Sequence, residues 1–221
     1  MRAKQPARPA ASSQFAPRLV IMVKEPVAGR VKTRLARGIG TVAAIAAYRT
    51  MLSGVAGRLS RDRRWQTVFA ISPDAALASR MLPSCGGRIP QGGGNLGDRL
   101  QRLFDRLPPG PVVVIGTDIP AILPADIAAA FQALGTHDAV FGPSSDGGYW
   151  LIGLKRRPRT PLGFAGVRWS SEHALADTVT NLKRLRVSQC RYLDDVDTAS
   201  DFKHQREVIG RRVLPRANAS R

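Results

Sequence analysis

Residues 112–120, VVVIGTDIP, constrain the fold more than any other stretch of the chain. Val112, Val113, Val114 and Ile115 are consecutive β-branched residues, which predicts a strand buried on both faces. Such strands belong to parallel sheets covered by helices on either side. The run ends at Gly116, and Thr117, Asp118 and Pro120 follow at its carboxyl end. Aspartate is poor in strands and costly to bury unpaired. Ligands of open α/β sheets bind just beyond the carboxyl ends of strands, where an acid can hold a divalent cation for a phosphorylated ligand. A turn residue or a helix N-cap fits the local pattern of Asp118 equally well.

The rest of the chain alternates as such a sheet requires. Short apolar runs at 18–23 (RLVIMV), 65–72 (WQTVFAIS), 138–141, 149–154 and 187–193 predict further strands. A helix is expected over about 42–59, where Val42, Ile45, Ala46, Leu52, Val55 and Leu59 approach helical spacing. Others are expected from Pro73 and Asp74 to about residue 82, over about 96–107, and from Pro124, at the N1 position, through 134. The last two are expected over about 172–185, with Ser170 as N-cap, and after the acidic run to about 209. Strands alternating with helices mean a mostly parallel sheet with helices on both faces, and there is no internal repeat.

A chain of 221 residues suits one α/β domain, and a hydrophobic fraction of 43% excludes disorder throughout. The net charge of +18 is unusual. Part of it is terminal, so residues 1–17 are expected to be a disordered basic extension, 18–209 the domain and 210–221 a basic tail. A positive field favours phosphate-bearing ligands, nucleotides as much as nucleic acid. The N-terminal residues lack the apolar core of a signal peptide and no run approaches a membrane span, so a cytoplasmic location without a membrane partner is expected. Cys85 and Cys190 are far apart without metal-type spacing, and reduced thiols are expected.

Four stretches could carry chemistry. After the first strand, Lys24, Arg30, Lys32 and Arg34 crowd around Gly29 ahead of a helix, which can offer backbone N–H groups and cations to phosphates or be a solvated basic turn. It is not a Walker A loop, because GxxxxGK[ST] is absent. Residues 92–97, GGGNLG, match GxGxxG but follow no clear strand, and Pro90 argues against an interior one. That leaves a loop close to a ligand, with Gln91 able to bond a base, or a plain connection. Residues 144–153, SSDGGYWLIG, set Asp146, Gly147 and Gly148 before Tyr149 and Trp150, which suits a sugar-sized pocket or a turn followed by core aromatics. Asp194, Asp195 and Asp197 form a dense acidic run that could share a cation with Asp118 or cap a helix. Thr198 and Asp201 fit a capping box, and His137, His173 and His204 lie apart from the motifs.

KEPVAGRVKTRLA, QGGGNLGDRL, VVVIGTDIP, GPSSDGGYWLIGL and DDVDTASDF, in that order, resemble a bacterial family of GT-A-type, glycosyltransferase-like proteins catalogued as DUF2064. Part of that family is identified with arsenosugar-biosynthesis glycosyltransferases, and its wider superfamily is the nucleotide-diphospho-sugar transferases, guanylyltransferases included. The resemblance implies a single-domain α/β fold, a GT-A or Rossmann-like three-layer sandwich. It implies that Lys24, Gly29, Arg30, Lys32 and Arg34 meet phosphates and that Gln91 and Gly97 lie near the base. It also implies that Asp118 holds Mg²⁺ or Mn²⁺ with Asp195 and Asp197, and that acceptor or sugar rests on Asp146, Gly147, Gly148 and Tyr149. The glycosyltransferase DxD pattern is absent, because Gly116 stands where its first acid would be.

Two enzymatic readings follow. One is metal-dependent sugar transfer from a nucleotide-sugar to a small acceptor, with the cation on Asp118 neutralising the leaving diphosphate and Asp146 as candidate base. The other is nucleotidyl transfer from an NTP to a phosphorylated small molecule, with Lys32 and Arg34 on the triphosphate. A non-catalytic nucleotide- or nucleic-acid-binding protein is a third. It calls for aromatics interleaved with basic residues, whereas aromatics make up 6% of this chain and are scattered, so no specific nucleic acid is expected.

Overall fold

Alternate residues of the Val112–Ile115 strand enter two different cores. Val113 and Ile115 pack with Leu19, Ile21 and Val23 on one face of the sheet, Val112 and Val114 with Val20 and Ala70 on the other. All four are at most 2% exposed, the mark of a strand covered on both sides. The computed structural model describes residues 15–156 and 159–209. Its strands are β1 (Arg18–Lys24), β2 (Gln66–Ser72), β3 (Gly87–Pro90), β4 (Val112–Ile115), β5 (Ala139–Pro143), β6 (Tyr149–Leu154) and β7 (Val187–Gln189). They form one sheet in the order β3-β2-β1-β4-β6-β5-β7, in which β6 alone runs antiparallel to its neighbours.

Six α-helices occur among the described residues: α1 (Thr33–Ile39), α2 (Thr41–Leu59), α3 (Leu96–Arg106), α4 (Pro124–Thr136), α5 (Ala174–Asn181) and α6 (Ala199–Ile209). Tyr48, Leu52, Val55 and Leu59 of α2 join Ile127, Ala130 and Leu134 of α4 over one face. Leu100, Leu103 and Phe104 of α3 cover the other. The result is a single-domain, three-layer α/β sandwich with a mostly parallel sheet. None of these helices is long and apolar enough to cross a membrane.

A third, smaller core lies where α1, α2 and α6 meet. Leu35, Ala44, Ala47, Met51 and Phe202 surround Val196, which is fully buried. Burying a valine there contributes about 1.5–3 kcal/mol and pins the acidic segment on either side of it.

Several expected boundaries move. The basic stretch 24–36 runs into a helix of its own, α1, separated from α2 by Gly40 at φ +84 and too short to show a period in the sequence. Val42 is 83% exposed, and the inward stripe of α2 runs instead through Ala44, Ala47, Tyr48, Met51, Leu52, Val55, Ala56 and Leu59. Residues 87–90 form an edge strand, the place where Pro90 needs no ladder partner on its outer side. The helix after Pro73 is a single 3-10 turn, Asp74–Ala78. Ser170 adopts φ +58 and α5 starts only at Ala174; Asp177 in its first turn accepts from the Arg168 backbone N–H and guanidinium at 2.8–3.0 Å. The last strand stops at Gln189. Residues 15–17 are part of the fold: Pro17 accepts the Gln66 amide at 2.9 Å and Ala16 accepts from Arg18 at 3.2 Å. The rest of the expected extension, 1–14, and the expected basic tail, 210–221, lie outside the described residues.

Candidate active site

β1 and β4 are neighbours in the sheet, yet the chain leaves β1 toward β2 on one side and leaves β4 toward β5 and β6 on the other. The sheet reverses there, and a cleft of about 790 Å³ opens at the carboxyl ends of these two strands, the position expected of a ligand site in an open α/β sheet. Because β6 is antiparallel, its first residue, Tyr149, lies on the same rim, paired with Pro143. Tyr48 braces the reversal from below. Its hydroxyl donates to the Lys24 carbonyl at 2.9 Å, accepts the Lys24 amide at 3.1 Å and accepts from the Thr117 hydroxyl at 3.4 Å. Burial, ahead of these bonds, keeps the Tyr48 phenol above its ordinary pKa and therefore neutral.

Three carboxylates converge at this floor. Asp118, Asp195 and Asp197 each offer an oxygen within 4.8 Å of the others. Asp118 leaves β4 through Gly116, where a Cβ would stand 2.7 Å from Asp118 Oδ1, so glycine is needed for the carboxylate to fold back. Asp195 and Asp197 alternate with buried Val196, whose anchoring directs both acids toward the cleft. Asp201 closes the arrangement: its Oδ2 accepts the amides of Asp197 and Thr198 at 3.1 and 2.7 Å, and its own amide donates to Thr198 at 3.2 Å. Asp201 therefore caps α6. Burial, and then the charges of Asp118 and Asp197, push the Asp195 carboxyl up to about 7.

The basic residues do not all face solvent. Lys32 turns inward from an N-cap at φ +48, and its side chain is 6% exposed. Its Nζ donates to Asp118 Oδ2 at 3.0 Å and to Asp197 Oδ1 at 2.6 Å. Burial opposes the charge on Lys32, but the two carboxylates outweigh it and raise its pKa above the ordinary value. Arg34 reaches Asp197 at 3.6 Å with its side chain 72% exposed. Lys24, Arg30 and Arg34 line the cleft, whereas Gly29, at φ +75, makes the turn without lining it.

Beside the acidic segment lies the loop between β5 and β6, whose Ser145 amide donates to Asp194 at 2.9 Å. Asp146 Oδ1 accepts the Ser144 hydroxyl at 2.6 Å and the Gly148 amide at 2.9 Å, which closes the turn. Gly147 has φ +79 and lies against the Glu172 backbone, so it is required by the turn and contributes no surface to the cleft. Tyr149 directs its ring to the cleft and its hydroxyl toward Thr178, at 3.5 Å, and burial raises its pKa. Trp169 packs edge-on to Tyr149 with ring centroids 6.3 Å apart, and α3 approaches it through Gly97, whose Cβ would lie 3.0 Å from the indole. Gly97 thus lies outside the cleft lining and serves as a packing contact for Trp169, which lines it.

Gln91 lines the cleft, but its side chain is held by the sheet. It is 3% exposed, and its amide nitrogen donates to the Ala70 and Val23 carbonyls at 2.8 and 3.3 Å while Oε1 accepts from Arg99 at 3.3 Å. These bonds lock β3 to its neighbours and tie the Gln91 side chain to the sheet at the edge of the cleft. The glycine-rich loop beside it is held by its carbonyls: Arg99 donates to Gly94 at 3.1 Å and Arg102 to Gly93 at 3.0 Å. Tyr48, Arg99 and Trp169 line the cleft without having been singled out in the sequence. Tyr48 sits in an Ala-rich helix and Trp169 in an irregular segment, where no local pattern marks them.

The sequence profile of a bacterial family, described as uncharacterized protein conserved in bacteria (DUF2064), matches residues 55–171. The chain belongs to the DUF2064 family. A protein from Desulfovibrio desulfuricans G20 assigned to the nucleotide-diphospho-sugar transferases shares 29% identity with this DUF2064 chain over 92% of both, at a TM-score of 0.81. That likeness places the DUF2064 chain in the transferase class. Rv0371c of Mycobacterium tuberculosis H37Rv, solved with manganese, is 18% identical over 87% of this chain and 98% of its own, with a TM-score of 0.53. CMP:2-keto-3-deoxy-manno-octonic acid synthetase, solved with CTP, is 13% identical over 87% and 98%, with a TM-score of 0.55. These two share the fold. No curated protein matches the chain.

Proposed function

We propose that this protein is a divalent-metal-dependent transferase that takes a nucleotide-sugar donor and passes the sugar to a small acceptor. The observation that carries the reading is the convergence of Asp118, Asp195 and Asp197 at the sheet reversal, with cations on one rim and aromatic rings on the other. Three carboxylates with no nitrogen or sulfur donor suit Mg²⁺ or Mn²⁺, and two of them already hold a positive charge, the Lys32 ammonium. When bound, such an ion supplies positive charge against the leaving diphosphate.

The chain's own residues do the rest. Lys24, Arg30 and Arg34 line the cleft, where their side chains can meet phosphates, Arg34 from an exposed position beside Asp197. The faces of Tyr149 and Trp169 offer an apolar wall to a sugar or acceptor. Asp146 uses Oδ1 for both bonds of its turn, which leaves Oδ2 to accept the proton of an acceptor hydroxyl.

One observation favours nucleotidyl transfer as a second reading. The acids come from two distant segments and Gly116 replaces the first acid of a DxD pair, an arrangement equally able to serve a triphosphate. Products separate the two. With Mn²⁺, release of a nucleoside diphosphate from a nucleotide-sugar supports sugar transfer, and release of pyrophosphate from an NTP supports nucleotidyl transfer. If neither class of nucleotide raises Tm with Mn²⁺ present, the transferase reading is wrong.

A further inference from the structure

Lys32 is the one basic side chain of the loop after β1 that the fold has withdrawn from solvent. Its backbone stands at φ +48, a region that lysine rarely adopts, and its side chain is 6% exposed. Its Nζ lies 3.0 Å from Asp118 and 2.6 Å from Asp197, two of the three carboxylates that can surround one ion. An ammonium with three donors and no acceptor is a compact point charge, able to stand in for a cation among carboxylates and to move on a flexible stem. Removing it without replacement would leave like charges facing one another across a half-buried floor.

We propose that Lys32 is the built-in counter-cation of the acid cluster and couples occupation of the metal position to arrival of phosphate. This rests on the reading of Asp118, Asp195 and Asp197 as metal ligands. In the free protein the ammonium holds Asp118 and Asp197 together and competes with a metal ion that arrives alone. A metal that arrives with a diphosphate group brings new acceptor oxygens for the displaced ammonium, so the two bind together far better than either does separately. Lys32 is thus a positioning residue. Coupling of this kind is reciprocal: phosphate raises metal affinity by the factor by which metal raises phosphate affinity. The device keeps the cluster from being filled by free metal in the absence of donor.

The experiment measures Mn²⁺ binding by electron paramagnetic resonance, with and without inorganic pyrophosphate, correcting for the Mn²⁺–pyrophosphate complex. Wild-type protein is expected to bind Mn²⁺ weakly alone and at least about tenfold more tightly with pyrophosphate, a coupling of ordinary allosteric size. Lys32→Met should bind Mn²⁺ alone at least about threefold more tightly than wild type and lose most of the pyrophosphate effect. Lys32→Arg, which keeps the charge, should retain competition, and it keeps the test open should Lys32→Met fail to fold. Equal or weaker Mn²⁺ binding by Lys32→Met, or wild-type binding indifferent to pyrophosphate, overturns the inference while leaving the metal site standing. No Mn²⁺ binding by wild type under either condition overturns the metal site itself.

Discussion

The amide of Val196 donates to the carbonyl of Asp118 at 3.0 Å. That bond joins the turn after β4 to the segment after β7 and brings carboxylates from distant parts of the sequence to one floor. Val196 is fully buried under α1, α2 and α6, so the joint is fastened on its far side as well. The acid cluster is therefore a product of packing, and its chemistry depends on contacts that are not themselves acidic.

Asp118→Asn is expected to lower Mn²⁺ affinity by more than about 100-fold, because loss of a direct ligand exceeds the effect of removing a supporting contact. Far-ultraviolet circular dichroism should be unchanged. A metal-dependent rise in Tm that survives the substitution would remove Asp118 from the site.

Metal binding should depend on pH near neutrality. The Asp195 carboxyl titrates at about 7, raised from an ordinary value of 3.8 by burial and then by Asp118 and Asp197. A raised acid in the folded state binds a proton that the unfolded chain has released, so without metal this group lowers stability as pH climbs from about 4 to 7. Mn²⁺ affinity is expected to rise by up to about tenfold per pH unit between 6 and 7 and then level off. Calorimetry in buffers of different ionisation enthalpy should detect proton release at pH 6, and Asp195→Asn should abolish it.

Gly116→Ala should separate site from fold. The new Cβ would meet only the end of the Asp118 side chain, at 2.7 Å, and no backbone atom. The carboxylate can swing away, so stability should fall by less than about 1 kcal/mol. Mn²⁺ affinity should fall by about 10–100-fold because a ligand is misaimed. A large drop in Tm would show that the glycine serves the fold instead.

Gln91→Leu addresses the buried amide. Removing it leaves the Ala70 and Val23 carbonyls with one partner fewer and the Arg99 guanidinium without Oε1. The expected cost is about 1–3 kcal/mol, seen as a lower midpoint in urea. Preference among nucleotide bases should not change; altered preference at unchanged stability would restore Gln91 to a base-reading role.

Much of this protein is legible in its sequence because its strongest signals are local. Four consecutive β-branched residues announce a doubly covered strand, Gly116 and Asp118 mark where it ends, and the order of the family motifs carries the fold. Those signals survive in one dimension because strand burial and turn chemistry depend on neighbours along the chain. Tertiary structure alone decided the rest. Lys32 and Gln91 both read as groups for a ligand, yet one is clasped by Asp118 and Asp197 and the other by Ala70 and Val23. Both partnerships join residues far apart in sequence. Trp169 became part of the cleft only because Gly97 left room for it on α3. A buried polar group must be paired, but which partner it finds depends on how the sheet and helices close around it.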